Sequence, residues 1–338
     1  MTTPIHHPHP PRPPAFAAGG NWLLTSAAAK VDLARRLRAA LHEHHLRLHA
    51  TDRSPFSAAF WFCDGHFPLP ALHDPAFLDQ LVAACSEREI RVVLPTRDAD
   101  LLYFAAHRAE LEAARIWPLV SDLGTVETCL DKTRFHEHAR THRLPVLPRI
   151  EHPAPDDFPC FLRPRCGSAG AGAGPIPSLD ALRALHGPPP WPDLLLQPLC
   201  TAPEYTIDAL FDLDGSPVQW IARERIRVKA GESTIGRTVH LPALDALLPR
   251  LARAFAFAGP VTLQAFYSES NGPCLIEINP RFGGAAALGI EAGLDTPRRL
   301  VALAQGDRDA FLRPRPLSYR LAMLRYSQDV FLELDPDT

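Results

Sequence analysis

The sequence predicts a mixed fold, an α/β unit with a parallel sheet followed by α+β units built on hairpins. Three observations carry that expectation. Strand-like and helical patterns alternate from Asn21 to Ala114, as in a parallel sheet covered by helices. Phe158–Arg165 reads as a strand that runs into a glycine-rich loop. Val261–Tyr267 and Cys274–Asn279 read as two strands joined by a turn holding Asn271-Gly272.

The elements follow in order. Residues 1–20 are rich in Pro and His, with little to bury, and are expected to be a mobile tail that binds no metal tightly. Trp22–Thr25 is a short apolar strand, and Ser26 is placed to cap a helix running to His42. Leu46–Ala50 and Ala58–Phe62 are expected strands. Pro75–Arg88 is helical, with Phe77, Leu78, Leu81, Val82 and Cys85 at helical spacing. Ile90–Pro95 is a buried-type strand, and Asp98–Ala114 a helix. Asp98 and Asp100 follow a strand end, where such sheets bind ligands, although Asp98 equally suits a helix cap. The first strand–helix turn lacks the glycine fingerprint of dinucleotide binding, so no nicotinamide site is expected.

A second unit begins with a helix from Leu130 to His142. The strand Phe158–Arg165 ends in two cations, Arg163 and Arg165. Four glycines follow, at 167, 170, 172 and 174. Such a loop exposes amides that can close over phosphate oxygens. Leu194–Leu199 is an apolar strand interrupted by Gln197. Glu204–Phe211 and Pro217–Arg223 form a hairpin around Asp214-Gly215. Arg223–Thr238 is rich in cations, and a solvated edge is its bland reading. A helix over Leu244–Phe257 precedes the last hairpin.

That hairpin is the most informative stretch. Side chains alternate faces along a strand, so Glu277 and Asn279 project together. A pairing sum of 541 or 543 sets Gln264 opposite Glu277 or Asn279, on their face; an even sum sets it on the wrong one. One carboxylate and two amide oxygens make a hard-cation site of the kind magnesium prefers beside phosphates. Arg281 follows with a fixed positive charge, then Gly283-Gly284.

Composition narrows the function. The 338 residues suffice for two or three packed units. The 35 basic and 38 acidic residues nearly cancel, so neither nucleic acid nor a membrane surface is an expected partner. No apolar run approaches a bilayer span, and the N-terminus does not read as a signal peptide. Seven scattered cysteines without zinc-finger spacing suggest reduced thiols and a cytoplasmic protein.

Over residues 21–325 these parts resemble the ATP-grasp superfamily, in its carbamoyl-phosphate-synthase-like branch. The Glu-Ile-Asn-Pro-Arg strand at 277–281 is the specific element; the glycine loop is less so. The resemblance implies a Rossmann-like domain over 21–125, a central ATP-grasp subdomain over 126–195, a C-terminal subdomain with the metal over 196–325, and a tail from 326 to 338. It implies ATP and one or two magnesium ions. Lys132, Arg163, Arg165, Gly167, Ser168 and Gly170 would meet the phosphates. Gln197, Pro198 and Leu199 would hold adenine, and Glu204 the ribose. Gln264, Glu277 and Asn279 would bind the metal. Arg281 would steady the transferred phosphoryl group, while Lys229 and Arg237 would line the acceptor side. Only one set of these parts is present, so a stand-alone ligase joining a small carboxylate or amino acid to an amine is expected rather than carbamoyl phosphate synthesis. A thiol acceptor, a non-catalytic ATP-binding role and pairing into a homodimer stay open.

Overall fold

The computed structural model describes residues 14–28, 30–167, 170–229, 231–331 and 333. Three sheets organise them. In the first, β1 (Asn21–Thr25), β2 (Leu48–Thr51), β3 (Gly65–His66), β4 (Ile90–Leu94) and β5 (Trp117–Pro118) are all parallel, in the order β3-β2-β1-β4-β5. Helices cover both faces, which is why Trp22, Leu23 and Leu24 are all fully buried. The strand order reverses between β1 and β4. That is the crevice where open parallel sheets bind ligands.

Several sequence expectations need correction here. Ala58–Phe62 is a 3-10 helix, not a strand. A short apolar run carries no period, so packing decides: Ala59 and Phe60 are buried, and Phe62 lies under Arg35. The third strand is instead Gly65–His66. Ser26 caps nothing. It sits at φ +49°, and the helix begins at Val31 without a side-chain cap. The helix expected over 98–114 breaks at His107 into Asp98–Ala106 and Arg108–Ala113. Asp98 is inside the first of these rather than at its cap. Of the expected tail, residues 14–20 pack on the first sheet, with Ala17 fully buried; residues 1–13 lie outside the described residues, as does Ser168.

The second sheet is antiparallel: β6 (Cys160–Pro164), β7 (Gly174–Ile176) and β8 (Leu194–Pro198), ordered β7-β6-β8. Cys160, Leu162 and Leu196 meet Leu182 of the helix Leu179–His186 beneath it. The helix expected from near Leu130 to His142 is Lys132–Thr141, and another, Leu123–Leu130, precedes it across Asp131. Asp131 is extended, and its Oδ1 accepts the N–H groups of Thr133 and Arg134, an N-cap that starts the second helix.

The third sheet holds β9 (Glu204–Phe211), β10 (Pro217–Lys229), β11 (Glu232–Val239), β12 (Gly259–Ser268), β13 (Gly272–Asn279) and β14 (Ala322–Leu324). It is antiparallel throughout, ordered β13-β12-β9-β10-β11-β14. The cationic stretch 223–238 is therefore no bare edge: β10 and β11 form a hairpin, and β14 covers its outer side.

Register in the last hairpin decides the site. Near the turn the pairs Ser268↔Gly272 and Phe266↔Cys274 have the even sum of 540, and the ladder shifts between Gln264 and Ala265. Beyond the shift Gln264 stands opposite Glu277 and Thr262 opposite Asn279, with the odd sum of 541. Ile276 is the extra residue. Without that bulge the register set by the turn would put Glu277 on the opposite face from Gln264.

Candidate active site

One face of the third sheet carries the chemistry. Glu277, Gln264, Thr206 and Arg223 form a row across β13, β12, β9 and β10. Asn279, Thr262 and Asp208 form the next row. Gln264 donates its amide N–H to Glu277 Oε1 at 2.7 Å and accepts from Arg225 Nη1 at 2.6 Å. The Asn279 amide also donates to Glu277 Oε1, at 3.3 Å. So both expected amide ligands touch the carboxylate of Glu277. Among the described residues no cluster of three His, Cys, Asp or Glu offers another metal site. One carboxylate and two amides suit a magnesium ion that takes most of its negative charge from phosphates.

Cations surround this face. Arg163, 7% exposed, pairs with Glu277 Oε2 and donates to the carbonyl of the bulged Ile276 at 2.7 Å. The bulge therefore also builds the seat of Arg163. Lys132 donates to the Gly167 carbonyl at 2.8 Å, tying the helix start to the glycine loop. Burial pushes the Lys132 ammonium below the usual lysine range, and the Arg163 charge adds to that. Arg223 and Asp208 make a buried two-pronged ion pair, at 2.6 and 2.9 Å.

A cleft of about 920 Å³ opens over these groups. Lys132, Gly167, Lys229, Gln264, Glu277, Asn279 and Arg281 line it. Arg163 and Glu204 stand behind its wall. Glu204 lies 3.3 Å from Arg225 Nε, and burial raises its carboxyl above the usual range against the pull of Arg225. Other expected site residues are not brought to the lining. Arg165 is held by Asp131 at 2.7 Å, and Arg237 by Glu224 at 2.6 Å. The Gln197 side chain is buried and donates to the Leu147 carbonyl at 3.2 Å, with Pro198 and Leu199 exposed beyond it. Gly170 stands in the loop at φ +71°, away from the cleft wall.

The structure adds Arg225, Lys30, Glu232 and Arg325, which the sequence did not single out, and gives Asp98 and Asp100 their partners. Arg225 sits between Glu204, Gln264 and Thr206. Its signal was available: Arg223 and Arg225 alternate with Glu224 and Ile226, so both face the same side of β10. Asp98 accepts from Arg281 Nε at 2.6 Å, 183 residues away in the chain. This settles its geometry: it is an ion-pair partner across the cleft. Lys30, Glu232 and Arg325 also line the cleft, and no local pattern marks them. Asp100 is buried and accepts from the Thr25 hydroxyl at 2.7 Å.

Two antiparallel bodies around one cleft, with a parallel sheet facing it, are the architecture of a nucleotide-dependent ligase fold. Residues 190–325 match the family described as "ATP-grasp in the biosynthetic pathway with Ter operon", and residues 22–119 match "PylC-like, N-terminal domain", so the likeness to the ATP-grasp superfamily is shown over the first of these stretches. No curated protein matches it by sequence. Solved structures share the fold. The biotin carboxylase domain of Hydrogenobacter thermophilus 2-oxoglutarate carboxylase, a dimer with MgADP, ADP and bicarbonate, has TM-score 0.65 at 15% identity, over 91% of this chain and 71% of that one. The L-amino acid ligase of Bacillus licheniformis has TM-score 0.63 at 15% identity, over 88% and 78%. Rhizobium etli pyruvate carboxylase has TM-score 0.65 at 15% identity over 85% of this chain, which spans only 28% of that one.

Proposed function

We propose that this chain joins a carboxylate to an amine at the expense of ATP, through an acyl phosphate, releasing ADP and phosphate. The observation that carries the reading is the face bearing Gln264, Glu277 and Asn279, with Arg281 and Lys132 lining the same cleft. Amide formation from a carboxylate is uphill in water unless the carboxylate first receives a leaving group. Transfer of a phosphoryl group is chiefly positioning and electrostatic stabilisation, and these side chains supply both.

In this reading Gln264, Glu277 and Asn279 hold magnesium, which when bound neutralises phosphate charge and orients the transferred group. Lys132 and Arg163 hold the phosphates. Arg163 exchanges its present partner, Glu277, for phosphate oxygens. Gln197–Leu199 and Glu204 receive the adenosine, and the glycine loop over 167–174 closes on the phosphates and excludes water from the acyl phosphate. Arg281 meets the transferred phosphoryl group and then the oxyanion of amine attack. Lys229 faces the acceptor. Arg165 and Arg237 act at the rim, through Asp131 and Glu224. The seven cysteines are free, and burial pushes Cys63 and Cys85 up to about 12. The free thiols support a reducing, cytoplasmic setting, and burial speaks against Cys63 or Cys85 as a thiolate nucleophile. Among the described residues no helix is long and apolar enough to cross a membrane.

The test is a screen of carboxylates and amines for ADP release, with hydroxylamine added to trap the acyl phosphate as a hydroxamate. Oxygen-18 from the labelled carboxylate is expected in the released phosphate. Label absent from phosphate would overturn the acyl-phosphate route.

A further inference from the structure

Beside the phosphate-facing groups, three distant parts of the chain meet in the cleft. The turn after β1 brings Lys30, β11 brings Glu232, and the residue after β14 brings Arg325. Glu232 lies between the two cations, 2.5 Å from Arg325 Nη1 and 3.9 Å from Lys30 Nζ. Arg325 is pinned further. Its backbone N–H donates to the Thr234 carbonyl at 2.9 Å, and Nη2 donates to the Gly284 carbonyl at 2.5 Å. Glycine at 284 makes room for the arrangement, because a Cβ there would stand 2.2 Å from Glu232 Oε1. Lys30 is part-buried, at 28% side-chain exposure, while Glu232 is exposed, at 46%.

The location adds a second argument. Lys30 follows β1, while Thr96, Arg97 and Asp98 follow β4, and all four line the cleft. This is the point of the parallel sheet where strand order reverses, its natural ligand crevice. Burial lowers the Lys30 ammonium below the usual lysine range, ahead of the opposing pull of Glu232.

A ligand entering here competes with the present ion pairs, and Lys30, the part-buried member, is costly to leave without a partner. A simple carboxylate would take Lys30 and Arg325 and leave Glu232 unpaired. A simple amine would take Glu232 and strand both cations. A molecule carrying both charges replaces every partner. We infer that this end of the cleft binds an α-amino acid, its carboxylate on Lys30 and Arg325 and its ammonium on Glu232. The inference deepens the ligase reading, on which it rests for the claim that the bound amino acid is one of the two substrates.

Calorimetry on the full chain loaded with magnesium and the non-hydrolysable analogue AMP-PNP tests it. The common α-amino acids are titrated one by one, beside propionate and ethylamine as single-charge probes. At least one amino acid is expected to bind while both single-charge probes do not. Lys30→Met and Arg325→Met are each expected to weaken that amino acid about tenfold or more, the effect of losing one charge-assisted hydrogen bond. Gly284→Ala, which keeps every charge but displaces Glu232, is expected to do the same. AMP-PNP affinity within about twofold of the parent shows that each variant is folded, since a tenfold change is 1.4 kcal/mol. Binding of no amino acid, equal binding of propionate, or unchanged affinity in all three variants overturns the inference. Amino-acid binding that never leads to ADP release with any partner overturns the ligase reading instead and leaves the subsite standing.

Discussion

At the residue scale, the informative pair is Arg281 and Asp98. Arg281 reaches Asp98 Oδ1 at 2.6 Å and Asn279 Oδ1 at 3.3 Å, so one guanidinium links the parallel sheet to the face bearing Gln264, Glu277 and Asn279. Arg281→Ala is expected to lower ADP formation and hydroxamate trapping together, by about 3 kcal/mol in each barrier, the effect of deleting one preorganised contact to developing charge. Asp98→Asn is expected to cost less, because the arginine remains. Steady-state kinetics of both variants check this ordering. Asp100 sets a pH signature. Burial raises its carboxyl above the usual aspartate range, with the Thr25 hydroxyl pulling the other way. A raised folded pKa means that the group's contribution is full below the unfolded value and is lost as pH rises through the folded one. Asp100→Asn removes this titration. Urea melts from pH 4 to pH 7 are expected to move in the variant's favour relative to the parent; a constant difference would contradict the raised pKa.

At the element scale, helix starts and strand irregularities place the site. Asp131 caps Lys132–Thr141 and at the same time holds Arg165. Asp131→Ala is expected to destabilise the chain by about 1–2 kcal/mol, the usual loss for an N-cap, measured by denaturant unfolding. It is also expected to raise the KM for ATP, since Lys132 is the first residue of that helix. The Ile276 bulge has two effects. It flips the hairpin from an even to an odd register, and its carbonyl fixes Arg163. The hairpin pattern was legible because alternation is local. The bulge was not, because a one-residue slip leaves that alternation unchanged and only cross-strand packing selects it.

At the scale of the whole molecule, the N-terminal sheet and the C-terminal part share one core. Trp22, Leu37 and Leu41 cluster with Leu300, Leu303 and Phe311. Surface pairs Arg36–Glu291 and Arg298–Glu43 run along the same contact. Residues 296–312 therefore pack back on the first unit. Arg299 anchors this return. It is fully buried, donates to the Phe311 carbonyl at 2.8 Å and to Gln219 Oε1 at 2.6 Å, and burial lowers it to about 10. Arg299→Ala is expected to cost about 3–5 kcal/mol in equilibrium unfolding, because two buried acceptors and a large cavity remain.

The sequence by itself determined the alternating α/β start, the antiparallel hairpins and the set Gln264, Glu277, Asn279 and Arg281. Periodicity and turn chemistry act over a few residues, so a linear reading recovers them. It misread Ala58–Phe62, Ser26 and residues 14–20, where a short segment's conformation follows the surface it packs on. Only the tertiary structure decided which charges meet. Asp98 finds Arg281, and Arg325 finds Glu232, across 183 and 93 residues of chain. Those encounters depend on how the three sheets pack together, and no local spacing encodes them, because the energy that fixes them is the burial of the whole shared core.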